Sequence, residues 1–146
     1  MKLNTASAVV SFCRQLEEDG AKFYEDLAQK YDKDRETFLS FAKENRRNIA
    51  DIERAYYGVI SDALEGCFSF DIDADNRRFK TELAEAPSYS DVLGKAIEVE
   101  DKIIKFYLDA AEQSKALMAD VPRAFQRVVK KRTERKGKLQ SLIGGK

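Results

Sequence analysis

Two pairs of polar residues interrupt stripes that are otherwise apolar, namely Asn45 with Asn48 and Arg132 with Arg135. The members of each pair are three residues apart, so both face the same side of a helix. A guanidinium stays protonated at any physiological pH and binds carboxylates or phosphates, and an amide both donates and accepts hydrogen bonds. These residues therefore indicate a polar centre inside a helical protein.

Thiol and imidazole chemistry is narrowly limited. The chain has no histidine and two cysteines, Cys13 and Cys67, which excludes His-dependent triads and Cys₄ zinc or iron–sulfur sites. Cys13 lies on an inward stripe, as is typical of a small buried hydrophobe, and Cys67 falls in a connection where we expect it to be exposed. A dithiol peroxidase built on this pair is an alternative, although neither thiol has an evident cationic neighbour that would lower its pKa.

Four helices must position these residues. Long stretches rich in Ala, Leu, Glu, Lys, Arg and Phe, with only two prolines and seven glycines in 146 residues, predict an all-α protein. Apolar spacing predicts helices over about 5–31, 34–65, 89–116 and 121–142. Ser88 begins a capping box, and Asp120 is the expected cap of the fourth helix. A long crossover over about 66–88 between two antiparallel hairpins then predicts one four-helix domain over 1–146.

The two halves of the chain are similar to each other. Glu17 aligns with Glu100 at an offset of 83 residues, and each lies seven residues before the tyrosine of a Phe-Tyr pair, Tyr24 or Tyr107. The second helix aligns with the fourth at an offset of 87, which places the Asn pair on the Arg pair. Duplicated hairpins are the simplest explanation.

These segments resemble the rubrerythrin branch of the ferritin-like superfamily. The sequences that run from Glu17 and Glu100 to Phe-Tyr look like the first and third helices of that branch, and residues 38–48 are similar to its second helix. The likeness covers about 8–142. It implies a ferritin-like bundle that pairs with a copy of itself or with an active ferritin-like partner. It also implies two Fe or Mn ions, held by one Glu from each of two helices and by a Glu-x-x-His pair from each of the others.

The sequence departs from the metal-binding pattern of this family. Glu17 and Glu100 keep the lone carboxylates, but the Glu-x-x-His pairs are replaced by the Asn and Arg pairs. Two divalent ions bring a charge of about +4 and need roughly eight to twelve donor bonds, which two carboxylates cannot supply. The guanidiniums add further positive charge. We therefore expect no metal at the family-equivalent positions.

A buried Arg/Glu/Asn network is the expected replacement for the metal. Bidentate guanidinium–carboxylate forks would satisfy Glu17 and Glu100, and Tyr24 and Tyr107 would donate their hydroxyls to these carboxylates. Glu44 and Glu134 lie one residue from the inward positions, about 100° around the helix, and are poorly placed as substitute metal ligands. In the alternative arrangement the fourth helix is rotated or frayed, and its arginines reach solvent.

Three functions follow from these expectations. The first is a metal-free, non-catalytic member of the family that acts as a binding or scaffolding module. The second is a di-iron or di-manganese oxidoreductase that scavenges peroxide or oxygen, as the resemblance implies. The third is a protein that binds an anion or small ligand through Arg132 and Arg135.

Charge is unevenly distributed along the chain, at +8 over residues 121–146 and −8 over residues 1–120. We interpret the basic fourth helix as packing against acidic neighbours, with cations that suit its own dipole. Nucleic acid is not an expected partner, because Phe125 is the one aromatic residue in this stretch and falls on an apolar stripe. No uncharged apolar run of 18 residues and no leader-like N-terminus occurs, so we expect a cytoplasmic protein that does not span a membrane.

The crossover contains one further candidate site. Asp71, Asp73, Asp75 and Glu82 reproduce the acidic spacing of an EF-hand calcium loop. Arg78 takes a position that is normally apolar, and the alternation that ends at Ile72 indicates an extended segment rather than an incoming helix. A solvated acidic crossover is the favoured interpretation, and calcium binding is the alternative.

Overall fold

The described part of the chain forms four long helices and one short pair of strands. The computed structural model describes residues 2–3, 5–59, 72–73, 88–114 and 120–144. The helices are α1 Ala6–Lys30, α2 Arg35–Val59, α3 Tyr89–Ser114 and α4 Asp120–Gly144, and the strands are β1 Lys2–Leu3 and β2 Ile72–Asp73. The expected four-helix, predominantly α architecture is confirmed, and the strand pair is an addition to it.

The helix ends follow local capping chemistry. The Thr5 hydroxyl accepts a hydrogen bond from the Ala8 amide at 3.1 Å, and the Ser88 hydroxyl accepts one from the Asp91 amide at 3.1 Å, as the capping-box pattern predicts. Asp120 is the first residue of α4. The end of α2 at Val59 falls short of the expected residue 65, but residues 60–65 lie outside the described part of the chain.

Each hairpin is antiparallel, as the pairing of its side chains shows. Arg14 binds Glu53 at 2.6 Å and Glu25 binds Arg46 at 2.7 Å, so residue numbers rise along α1 while they fall along α2. In the second hairpin Asp101 binds Lys136 at 2.6 Å, and the Tyr107 and Phe125 rings lie 6.0 Å apart, which gives the same relation between α3 and α4.

The two hairpins face each other with α1 and α3 antiparallel. Tyr24 contacts Glu100, and Tyr107 contacts Glu17. The Tyr89 hydroxyl, at the start of α3, donates to Asp34 at 2.8 Å in the turn between α1 and α2. The end of α2 and the start of α3 therefore lie at opposite ends of the bundle, about 37 Å apart for helices of this length. The helices run up, down, down and up.

The core is divided into two apolar clusters. One cluster packs around Phe12, Phe106 and Phe125, and the other packs around Phe23 and Phe38. In every helix the cluster residues of one half belong to one cluster, and those of the other half belong to the other cluster. In α1 the boundary lies between Leu16 and Ala21. A buried polar layer fills the gap between the clusters.

The strands lie beside the start of α1. Leu3 pairs antiparallel with Ile72 and Lys2 pairs with Asp73, and the Leu3 side chain is buried in the first cluster. Asp73, a member of the candidate calcium set, lies within this ladder, whereas Asp71, Asp75 and Glu82 lie outside the described residues. No helix in the described ranges is long and apolar enough to cross a bilayer.

Candidate functional site

The polar layer brings together every residue of the predicted buried network. We call this group the central network: Glu17 on α1, Asn45 and Asn48 on α2, Glu100 on α3, Arg132 and Arg135 on α4, with the phenols of Tyr24 and Tyr107. No member is more than 2% exposed. Since the arginines lie inside, a rotated or frayed fourth helix that releases them to solvent is not what the structure shows.

Arg132 lies between the two carboxylates. Its Nη1 donates to Glu100 Oε1 at 2.6 Å, and its Nη2 donates to Glu17 Oε2 at 2.7 Å. The expected bidentate forks are therefore wrong, because each carboxylate takes only one nitrogen of this guanidinium. The two carboxylates belong to different helices, α1 and α3. The planar guanidinium of Arg132 can bridge them only if it donates to each carboxylate from a different nitrogen.

Glu17 accepts hydrogen bonds from three helices. The Tyr107 hydroxyl donates to Oε2 at 2.7 Å, where Arg132 also donates, and Asn48 Nδ2 donates to Oε1 at 3.0 Å. Asn45 Nδ2 donates to the backbone carbonyl of Glu17 at 3.1 Å. The side-chain amides of both asparagines of α2 thus donate hydrogen bonds to α1.

Glu100 accepts the equivalent set. The Tyr24 hydroxyl donates to Oε2 at 2.5 Å, Arg132 donates to Oε1, and Arg135 Nη1 lies 3.4 Å from Oε2. Burial alone would raise the pKa of Glu100, but Arg132, Arg135 and the Tyr24 hydroxyl outweigh it and lower the pKa. Burial likewise opposes the charge of Arg132, but Glu100 and Glu17 hold its pKa well above the usual value.

The network follows the sequence duplication, with one asymmetry. The tyrosine of each half donates to the glutamate of the other half. The amides of α2 are short and reach only α1, whereas the longer guanidiniums at the equivalent positions of α4 extend to α1, α2 and α3. The arginines of α4, at the positions that carry asparagine in α2, therefore join the two halves through buried ion pairs.

Arg135 extends from the network to its rim. Its Nη2 donates to Glu44 Oε1 at 2.7 Å and to the Phe41 carbonyl at 3.3 Å. The guanidinium also lies over the rings of Phe41 and Tyr24, at 4.9 and 5.3 Å. Glu44 thus contacts the network from a position one residue off the inward stripe, because the long arginine side chain reaches it. Glu134 is exposed.

Gly20 is a supporting residue that site reasoning from the sequence missed. It lies three residues after Glu17 on α1, and a Cβ at this position would overlap Asn45 Nδ2. Only a hydrogen leaves room for the Asn45 amide to reach the α1 backbone. The single sequence signal was a glycine on the inward stripe of a helix, where alanine would otherwise be favoured.

The remaining candidates add no charged side chain to the central network within the described residues. Cys13 is buried in the apolar core beside Tyr107 and Glu17, and burial together with the Glu17 charge raises the pKa of its thiol well above the usual value. Cys67 lies outside the described residues. Phe125 is 1% exposed and packs in the core.

The residues of the central network do not fit a pair of divalent ions. The Arg132 guanidinium lies between Glu17 and Glu100 and binds an oxygen of each. Around them stand amides and a second guanidinium, where a metal site needs carboxylates or imidazoles. Across the described ranges, no group of three or more His, Cys, Asp or Glu residues could hold a metal ion.

The network balances its own charge but not all of its hydrogen bonds. The two glutamates contribute −2, and the two arginines contribute +2. Four buried atoms within the described structure have no hydrogen-bond partner: Nε of Arg132, Nε of Arg135, Oδ1 of Asn45 and Oδ1 of Asn48. Each charged side chain of the network thus has an ion-pair partner, but one N–H of each guanidinium and the amide oxygen of each asparagine lack a hydrogen bond.

No family model, curated protein or solved structure matches this chain.

Proposed function

We propose that this chain is a metal-free, ferritin-like four-helix bundle of the rubrerythrin type that acts as a non-catalytic binding or scaffolding module. The observation that carries the proposal is the fully buried Arg132 guanidinium, hydrogen-bonded at 2.6 and 2.7 Å to the carboxylates of α3 and α1. A fixed cation of the protein lies where the resembled family would bind its metal.

The directions of the helices support the ferritin-like assignment. Ferritin-like bundles have one long crossover connection, so their second and third helices run in the same direction. Here the hydrogen bonds that join the helices give that arrangement. The residues at the family-equivalent positions lie together at the middle of the bundle, as the resemblance requires.

Electrostatics supports the absence of metal. Two unit charges about 4 Å apart interact by about 4 kcal/mol at an effective dielectric constant of about 20, and a divalent ion doubles that value. An ion bound to Glu17 or Glu100 would meet this repulsion from Arg132 and would also have to displace its hydrogen bonds. The remaining donors, two amides and two phenols, do not compensate for it.

The pKa shifts support a non-catalytic role. Burial raises the pKa of both Tyr24 and Tyr107 well above the ordinary value, and burial also raises the pKa of the Cys13 thiol. The pKa of Glu100 is lowered despite its burial, because of Arg132 and Arg135. General acid–base catalysis needs a group that titrates near the working pH, and these shifts all lead away from neutrality.

The geometry also disfavours an internal anion site. Both terminal nitrogens of Arg132 are bound to Glu17 and Glu100, and Arg135 is bound to Glu44. A further anion would turn a balanced interior into a negative one.

Metal loading tests the proposal. The full chain is incubated anaerobically with excess Fe²⁺ or Mn²⁺, desalted and measured by inductively coupled plasma mass spectrometry. We expect far less than one metal ion per chain. The positive control combines four substitutions that rebuild the family ligand set: Asn45→Glu, Asn48→His, Arg132→Glu and Arg135→His. One or more ions bound per wild-type chain would refute the proposal and favour the oxidoreductase.

A further inference from the structure

The eight basic residues of α4 differ in what they contact. Arg132 and Arg135 belong to the central network. Lys131 and Lys136 bind the neighbouring helices, at 3.6 Å from Asp51 and 2.6 Å from Asp101. The other four are exposed and lie within ion-pair distance of no acidic side chain among the described residues. We call these four the basic row: Arg123, Arg127, Lys130 and Lys138.

The basic row is straight and faces away from the core. At about 100° per residue its members lie within a sector of about 80°, and they extend over about 22 Å of the helix. Glu134 is the one acidic residue in the same sector, and it is exposed as well. The row therefore presents four cations and one anion along four turns.

The described residues of the bundle do not account for the basic row. Packing against acidic neighbours explains Lys131 and Lys136, but none of these four has an acidic partner within the described ranges. The helix dipole does not explain them either, because Arg123 lies in the first turn of α4, where the dipole favours anions. Arg123 and Arg127 also repel each other at i, i+4 spacing. Arg123 and Arg127 therefore oppose helix stability and do not serve it.

We propose that the basic row is a docking surface for an acidic helix of a partner protein. This inference rests on the proposed binding function and names the chemistry of the partner. Charge complementarity requires Asp or Glu at helical spacing along about four turns, with one cation opposite Glu134. The row leaves the central network untouched, because it occupies the opposite side of α4.

A nucleic acid fits the basic row less well. A phosphate backbone carries negative charge at every step, so Glu134 in the middle of the row would repel it. Single-stranded nucleic acids also need aromatic side chains on which bases stack, and Phe125, the aromatic residue of α4, is buried. A protein helix can instead match a mixed pattern of charges residue by residue.

Fluorescence anisotropy with the full chain tests the proposal. The probe is a labelled, capped helical peptide with glutamates at 4-3 spacing along one face and one lysine placed to meet Glu134. The comparison probes are the same peptide with glutamine for glutamate and a single-stranded oligothymidylate of similar length. We expect binding of the acidic peptide that weakens steeply from about 0.05 M to about 0.5 M salt, because exposed ion pairs are screened.

Matched charge reversals complete the test. Arg127→Glu with Lys130→Glu is expected to weaken peptide binding by about tenfold or more. Lys22→Glu with Lys43→Glu makes the same change in net charge on exposed positions of α1 and α2, and it should preserve most of the affinity.

Three results would overturn the proposal. The first is an equal loss of affinity in both double variants. The second is oligothymidylate binding as tight as that of the peptide and equally sensitive to the row. The third is a lower unfolding temperature of Arg127→Glu with Lys130→Glu while peptide binding stays unchanged. Each of these outcomes leaves the metal analysis, and hence the metal-free proposal, unaffected.

Discussion

Replacement of Arg132 by leucine removes the cation that separates the two buried carboxylates. The substitution deletes hydrogen bonds of 2.6 and 2.7 Å and leaves Glu17 and Glu100, both fully buried, without a cation between them. Breaking a buried ion pair from one side costs about 3–5 kcal/mol, because the remaining charge keeps its desolvation penalty. We expect a loss of that size in the free energy of unfolding.

The measurement is thermal and urea unfolding of purified variants. For a domain of this length about 1 kcal/mol shifts the unfolding temperature by about 2–4 °C, so Arg132→Leu should unfold about 10 °C below the wild type. Arg127→Leu is the matched control, since it makes the same substitution at an exposed position of the same helix. The control should stay within about 0.5 kcal/mol of the wild type.

The pH dependence of Arg132→Leu provides an independent signature. In the wild type burial would raise the pKa of Glu100, but Arg132 and Arg135 lower it. Without Arg132 the effect of burial prevails, and the pKa of Glu100 in the folded protein rises above its value in the unfolded chain. The folded variant then binds a proton more readily than the unfolded chain, so it should gain stability as the pH falls from neutral toward the pKa of the unfolded carboxyl. An Arg132→Leu protein that unfolds at the wild-type temperature would refute our account of the network.

Three further predictions concern the intact bundle. Gly20→Ala should destabilise the protein by about 1 kcal/mol in urea unfolding, because the displaced Asn45 amide loses its hydrogen bond to α1 and this loss outweighs the gain in helix propensity. Gly137→Ala is the control: the position has open space around it, and the substitution should stabilise the protein by up to about 1 kcal/mol. The wild type should lose the contribution of Glu100 as the pH falls below the ordinary carboxyl pKa of 4.5 toward its lowered folded value, and constant stability through this range in pH-resolved denaturation would contradict the assigned shift. We also predict that the chain pairs with a copy of itself, as its resemblance to the rubrerythrin branch implies. Light scattering should then give about twice the chain mass of 16.6 kDa, and a monomer mass would refute the pairing but not the metal-free proposal.

Much of the architecture was predictable from periodicity. The apolar 4-3 spacing determined which positions face inward, and the internal repeat placed Glu17 opposite Glu100 in the two halves. The same spacing placed Arg132 and Arg135 on an inward stripe, because the side of a helix on which a residue lies follows from its position in the sequence and the period of 3.6 residues per turn. Charge counting then indicated that the interior could be balanced without a metal ion.

Other features required the packed structure, because they depend on distances between helices. The length of an arginine side chain decides whether it forks to one carboxylate or bridges two, and the answer follows from the separation of α1 and α3 around Arg132. The same reach brings Glu44 into contact with Arg135 from a position off the inward face. Gly20 matters only because Asn45 of the neighbouring helix occupies the space that a side chain would need.

The sequence alone thus determined the kind of residues at the centre and their charge, since composition and helical period are local properties. Tertiary structure decided which donor meets which acceptor, and which cations of α4 have an acidic partner within the described bundle. Hydrogen bonds and ion pairs form over about 3 Å between side chains that are distant in the sequence, so helix packing has to place them before any pairing is defined.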